Sequence, residues 1–266
     1  MDGGTVDVPK DPSNDVTVTT STGEQIGIGI ANGETAGDAR TTASGTTVYT
    51  DPTSATATAV QATTDGVRQL FILNNTKAST AFTVPLTLPN GARLEKDGSG
   101  GYDIVPVANA EGVATSIAHI DAPWAKDASG RSLATSYSLD RTVLTQHVST
   151  AGAVYPVVAD PRLTYGSHNG FPTVYLNLWG SEVQAVAYAI TITVGGTAAI
   201  GCTASNIPVP IARVVKVLCM VVGGATVRSV FSGLQQIARG VNLGACYQQR
   251  MVPYRTGWVT VNSRNC

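Results

Sequence analysis

Short runs of alternating apolar and polar residues dominate the first 160 residues of the chain. Residues 1–13 carry no apolar periodicity and read as a flexible leader. Val16-Thr17-Val18-Thr19 and Ile26-Gly27-Ile28-Gly29-Ile30 then place β-branched residues on every second position, the period of a strand with one buried face. The same pattern predicts strands over 47–49, 67–73, 82–88, 102–107, 113–120, 142–148 and 154–158. Asn32-Gly33, Asp65-Gly66, Asn90-Gly91 and Asp97-Gly98 fall between such runs and predict tight turns, because Gly and Asn adopt positive φ at low cost. Many short strands separated by turn residues point to an antiparallel β-sandwich over residues 14–162.

The texture changes after Asp160-Pro161. Residues 172–179 predict one more strand, with Val174, Leu176 and Leu178 alternating against Tyr175, Asn177 and Trp179. Ser181 and Gln184 have the spacing of a capping box, so a helix is expected from there. From Val183 to Ala212 there is not one charged side chain. Pro208-Val209-Pro210 breaks this stretch, and Ile211 to Ala238 predicts a second helix interrupted at Gly223-Gly224. Residues 246–252 and 257–261 predict a closing β-hairpin. The expected fold is therefore α+β: an N-terminal antiparallel sandwich, then a small domain over 163–266 made of a strand, a helical hairpin and a β-hairpin.

Charged residues make up 13% of the 266 positions and the net charge is −1. With no basic stripe, nucleic-acid binding is not expected. The four cysteines, Cys202, Cys219, Cys246 and Cys266, all lie in the last quarter of the chain. An even number confined to one segment predicts two disulfides and an oxidising compartment. Three pairings are possible, and proximity favours Cys202–Cys219 and Cys246–Cys266. No C-x-x-C pair suggests zinc. Met1-Asp2-Gly3-Gly4 begins polar and shows no signal peptide, so the expectation is a mature secreted chain.

Val16-Thr-Val-Thr-Thr-Ser-Thr-Gly-Glu-Gln-Ile-Gly-Ile-Gly-Ile30 resembles the opening of a family of secreted actinobacterial proteins. Asp121-Ala-Pro-Trp-Ala-Lys-Asp-Ala-Ser-Gly130 and Tyr155-Pro-Val-Val-Ala-Asp-Pro161 resemble it as well. The middle of the chain is similar to the β-rich segment upstream of the repeats in Rhs-type secreted toxins, where a similar Tyr-Pro-Val-x-x-Asp-Pro ends the module. The resemblance spans residues 14–266. It implies secretion and a presentation-like N-terminal half, and it points to no particular activity.

Candidate chemistry is sparse. Asp97-Gly98-Ser99-Gly100-Gly101 lacks the Asp directly before Ser that a serine-protease loop carries, and it reads as a hairpin turn. Neither a Gly-x-Ser-x-Gly elbow nor a His-Glu-x-x-His helix occurs. His119, His147 and His168 have no paired acid at a suggestive spacing. Asp121, Asp127, Asp140 and Asp160 could supply a carboxylate pair, but their contexts are those of turns. Trp124 reads as a core anchor. No catalytic residue, cofactor, metal or small-molecule substrate is expected.

The uncharged stretch is the unusual feature, since thirty such residues are costly to leave in water. Ile190, Val194, Val217, Leu218, Val221 and Phe231 are the expected contacts with a lipid bilayer or with a second copy of the chain. The functional expectation is a non-enzymatic secreted effector acting on membranes or a protein partner, antibacterial or pore-forming in its sharpest form. The alternative is a structural or adhesive cell-envelope protein that self-assembles.

Overall fold

The computed structural model describes residues 4–37, 39–51, 53–165, 172–194, 212, 214, 216 and 224–266. Among the described residues it is mostly β, with 43% strand and 11% helix. The chain divides into two compact units, Met1–Val105 with Ser116–Asn169, and Pro106–Thr115 with Gly170–Cys266.

Two antiparallel sheets build the first unit. One has the order β1 (Thr5–Asp7), β2 (Val16–Thr19), β3 (Gln25–Ile28), β8 (Ala81–Thr87), β15 (Val143–Val148), β14 (Thr135–Asp140). The other runs β4 (Arg40–Thr41), β5 (Thr47–Thr50), β6 (Thr56–Thr63), β7 (Gly66–Leu73), β17 (Arg162–Tyr165), β12 (Ala118–Ile120), β10 (Tyr102–Val105), β9 (Arg93–Lys96). Off this path, β16 (Val157–Asp160) pairs with the second half of β7 and with β13 (Trp124–Lys126).

Period-two patterning explains how the sheets meet. Val67, Gln69, Phe71 and Leu73 of β7 are buried while Arg68, Leu70 and Ile72 between them are not. Phe82, Val84 and Leu86 of β8 alternate in the same way. These inward rows join Val16, Val18, Ile26 and Ile28 in one core, where Phe71 and Phe82 stack with ring centroids 4.4 Å apart. Gln69 is the polar member of the row. Its amide donates to the Gly29 carbonyl at 3.1 Å, and its oxygen accepts from the Ala31 N–H at 3.4 Å. The chain leaves the first sheet for the second just there, and Gln69 bonds the backbone groups that no ladder pairs.

Two of the four expected turns close hairpins, Asp65-Gly66 between β6 and β7 and the loop after Asp97 between β9 and β10. Asn32-Gly33 and Asn90-Gly91 instead lie where the chain passes from one sheet to the other. The run 113–120, expected as one strand, is two. Val113–Thr115 forms β11 in the second unit, and Ala118–Ile120 forms β12 in the first.

In the second unit, β11, β18 (Val174–Trp179), β19 (Cys246–Val252) and β20 (Val259–Val261) form an antiparallel sheet in that order. Every residue of β18 from Val174 to Leu178 is buried, so both faces are covered rather than one. Asn177 accordingly has polar partners: its amide donates to the Gly112 carbonyl at 3.2 Å and its oxygen accepts from Gln248 at 2.9 Å. Helix α1 (Gly180–Val194) follows directly. Its first turn is closed by Glu182, which accepts the Trp179 N–H at 2.9 Å, so the box sits two residues earlier than Ser181 and Gln184 suggest. The Asn242 carbonyl would overlap any side chain at Gly180, which restricts that position to glycine. A second helix, α2 (Gly224–Ala238), packs on α1, and Val183, Val186, Val230, Phe231 and Leu234 join Leu176, Leu178 and Met251 in a core.

The expected α+β composite of a sandwich followed by a helical hairpin with two disulfides is therefore corrected. The chain is predominantly β, its C-terminal unit is organised on a four-stranded sheet, and one disulfide, Cys246–Cys266, is present among the described residues. The physical reason lies in weakly hydrophobic strands such as β6, Thr-Ala-Thr-Ala-Val-Gln-Ala-Thr, and in strands buried on both faces. The strand content that they supply leaves little periodic signature. Cys202 and Cys219 lie outside the described residues.

Candidate functional site

The densest group of ionisable side chains in the first unit is carried by the second sheet. Register places Glu95 (β9), Asp103 (β10), His119 (β12) and Thr164 (β17) in one row across four strands. Residues two apart on a strand share a face, so Arg162 joins that face from β17 and Arg68, its register partner, joins from β7.

His119 is 3% exposed and Asp103 1%, and the His119 Nδ1 lies 2.9 Å from Asp103 Oδ1. On the other side of the ring, Nε2 is 3.6 Å from Asp97 Oδ2 and 3.7 Å from Asp121 Oδ1. Asp97 organises its own loop: Oδ1 accepts the N–H groups of Ser99, Gly100 and Gly101, and Oδ2 accepts the Ser99 hydroxyl. Burial pushes the Asp97 carboxyl up, but the Ser99 hydroxyl and N–H, the nearby His119 and the Gly101 N–H outweigh it and hold the carboxyl below its ordinary value. Asp121 is 3.6 Å from Arg162, which also holds Asp65 at 2.7 Å.

This arrangement pins the 97–101 loop and three strands together. The Ser99 hydroxyl is bonded to a carboxylate and not to the imidazole, so it lacks the base that activates a serine nucleophile. Among the described residues no group of three or more His, Cys, Asp or Glu side chains has the geometry to hold a metal ion. His119→Ala should lower stability by about 1–3 kcal/mol, because Asp103 loses its imidazole partner in a buried place. Urea unfolding of the folded variant would measure this.

Sequence spacing did not reveal that His119 faces an acid. Strand register brings it to Asp103, sixteen positions away. The available signal was a single polar residue inside each of two apolar strands, Tyr-Asp-Ile-Val and Ala-His-Ile. His147 is exposed and bonded to Ser138 at 2.8 Å, and His168 lies outside the described residues. Asp127 closes a turn by accepting from Ser129, Arg131 and Val154, while Asp140 stands exposed at the end of β14. Asp121 and Asp160 both join the polar face of the second sheet. Trp124 is half-buried on β13.

Of the expected partner contacts, Phe231 is fully buried in the core of the second unit. Ile190 and Val194 belong to α1, but their side chains lie outside the described residues, as do Val217, Leu218 and Val221. No helix among the described residues is long and apolar enough to cross a membrane.

The first sheet carries a groove of about 550 Å³ on its outward face. Thr83 and Pro85 of β8 floor it, and Ser13, Asp15, Asn32 and Glu34 wall it from two loops. The lining mixes hydroxyl, amide and carboxylate side chains with Pro12, Ile30, Ala81 and Pro85, and it contains no Lys or Arg.

A family model described as LapA domain matches residues 3–87. The match covers less than half of the chain, and every residue lining the groove falls within it. No curated protein and no solved structure matches the chain.

Proposed function

We propose that the protein is a secreted, non-enzymatic structural or adhesive component of a cell envelope, whose N-terminal β unit presents a binding surface. The observation that carries this reading is the polar groove on the first sheet, contained within the segment similar to a LapA domain. Secretion rests on the disulfide Cys246–Cys266 and on the resemblance to secreted actinobacterial proteins. The ionisable residues of the second sheet support it from the other side, because His119 and its acids are engaged with one another in pinning strands and a loop.

A second reading, an effector that acts on membranes, is favoured by one observation, the absence of charge from Val183 to Ala212. Co-sedimentation with isolated cell envelopes, run beside dye release from anionic liposomes, separates the two. Saturable sedimentation without release supports the adhesive reading. Release without sedimentation replaces it with the effector. Thr83→Arg, which lays a long cation across an exposed floor position, should leave stability within about 0.5 kcal/mol and reduce sedimentation. Unchanged sedimentation in the folded variant would remove the groove from the binding surface.

A further inference from the structure

Charge is unevenly shared between the two units. The first carries sixteen Asp and Glu against ten Lys and Arg, and the second carries two against seven. The net charge of −1 conceals this split. No acidic side chain follows Glu182, and six of the seven later cations are arginines. Opposite charge on two parts of one chain points to an anionic partner for the basic part. Three of the arginines are set along one exposed run. Arg250 of β19 donates its N–H to the Thr256 hydroxyl at 3.2 Å and its Nε to the Tyr254 carbonyl at 3.1 Å. The turn that these bonds close, residues 253–257, is exposed throughout, and Tyr254 is 70% exposed. Arg255 extends from it and donates to the Ser229 hydroxyl of α2. Trp258 then packs on the core of the unit. β20, the outer strand among those described, runs back along β19 with Val259 and Thr260 exposed. It leads to Arg264, exposed in the turn that the Cys246–Cys266 bond ties to the start of β19. Arg250 and Cys246 are four positions apart on β19, roughly 13 Å at the rise of a strand.

We propose that residues 250–264 form a track for a linear, phosphate-bearing polymer outside the cell, with Arg250, Arg255 and Arg264 as its cations. The planar guanidinium fork pairs with two phosphate oxygens at once, which suits arginine better than lysine to such a surface. A single phosphate ion does not reach from one end of the run to the other, whereas successive phosphates of one chain do. Thr256, Thr260 and Ser263 place hydroxyls between the cations, and no carboxylate side chain in the run repels the polymer. The Cys246–Cys266 disulfide closes the same track and belongs to an oxidising compartment, where envelope polymers rather than nucleic acids are at hand. A bilayer fits less well, because Tyr254 and Val259 alone in this run offer large exposed apolar side chains. Placing the polymer outside the cell rests on the protein being secreted. The track shares no residue with the groove of the first unit.

Fluorescence anisotropy of labelled inorganic polyphosphate, titrated with the full chain, tests this. Affinity should fall roughly twentyfold between ~50 and ~200 mM salt, as for about three neutralised phosphates. Orthophosphate at the same phosphate concentration should not compete. Arg255→Gln with Arg264→Gln should weaken binding about tenfold or more, with the urea midpoint unchanged. Lys10→Gln with Lys77→Gln makes the same charge change at exposed positions of the first unit. It should leave affinity within about twofold, since distant surface charges are screened. No binding at low salt, equal loss in the two variants, or full competition by orthophosphate overturns the track. Tighter binding to phosphatidylglycerol vesicles or to a single-stranded oligonucleotide also overturns it, by assigning the surface to a bilayer or to nucleic acid. Should the arginine variant not fold, the competition and salt series on the native chain decide. Thr83→Arg reports on the groove and the arginine variant on the track, so failure of one is distinct from failure of the other.

Discussion

Phe71→Ala is expected to lower the unfolding free energy by about 3–5 kcal/mol, the range for truncating a fully buried aromatic ring. Phe71 is 0% exposed and stacks on Phe82, so the change opens a void between the two sheets and removes the partner of a second ring. Relaxation should be small, because β7 is held on one side by β6 and on the other by β16 and β17. Urea denaturation of the whole chain measures the loss. A loss under about 1 kcal/mol would mean that the sheets close over the gap, which is at odds with a densely packed core.

Removing the Cys246–Cys266 bridge ranks next. The bond links residues twenty positions apart and ties the C-terminal residue to the start of β19, the strand between β18 and β20. Cys246→Ser with Cys266→Ser should destabilise the second unit by about 2–4 kcal/mol, mostly by freeing the unfolded chain. Hydrogen exchange resolved by segment should show β20 and the Ser263–Asn265 turn losing protection first. Equal loss over the whole chain would instead indicate that the two units unfold as one.

These expectations rest on features of unequal legibility. Strands with one buried face, such as β2, β3 and β8, are plain in the alternation of Val16, Val18, Ile26, Ile28, Phe82 and Val84 with polar or small residues. β14 is harder, because its alternation in Thr-Ser-Tyr-Ser-Leu-Asp is between half-buried and exposed positions and never reaches full burial. β18 misleads in the opposite sense, since Tyr175 and Asn177 look solvent-facing and are buried. The polar network on the second sheet was legible only as lone polar residues, Asp103 and His119, inside apolar strands. His119, Asp97, Asp103 and Asp121 come together through the pairing of β9, β10 and β12, and such pairing is a property of tertiary register that local spacing does not encode.

The excursion of residues 106–115 has a consequence for how the molecule is made. Val113 pairs with Leu176 and Thr115 with Val174, so β11 leaves the ribosome long before its neighbour exists. In the interval the chain has gone on to form β12 through β17, all of them partners within the first unit. A nascent chain can therefore complete that unit while Val113–Thr115 still waits, as a short unpaired strand, for β18 to be synthesised. The same geometry makes any truncation between Thr115 and Val174 produce a polypeptide with an orphan edge, a segment open to proteolysis and to mispairing between copies.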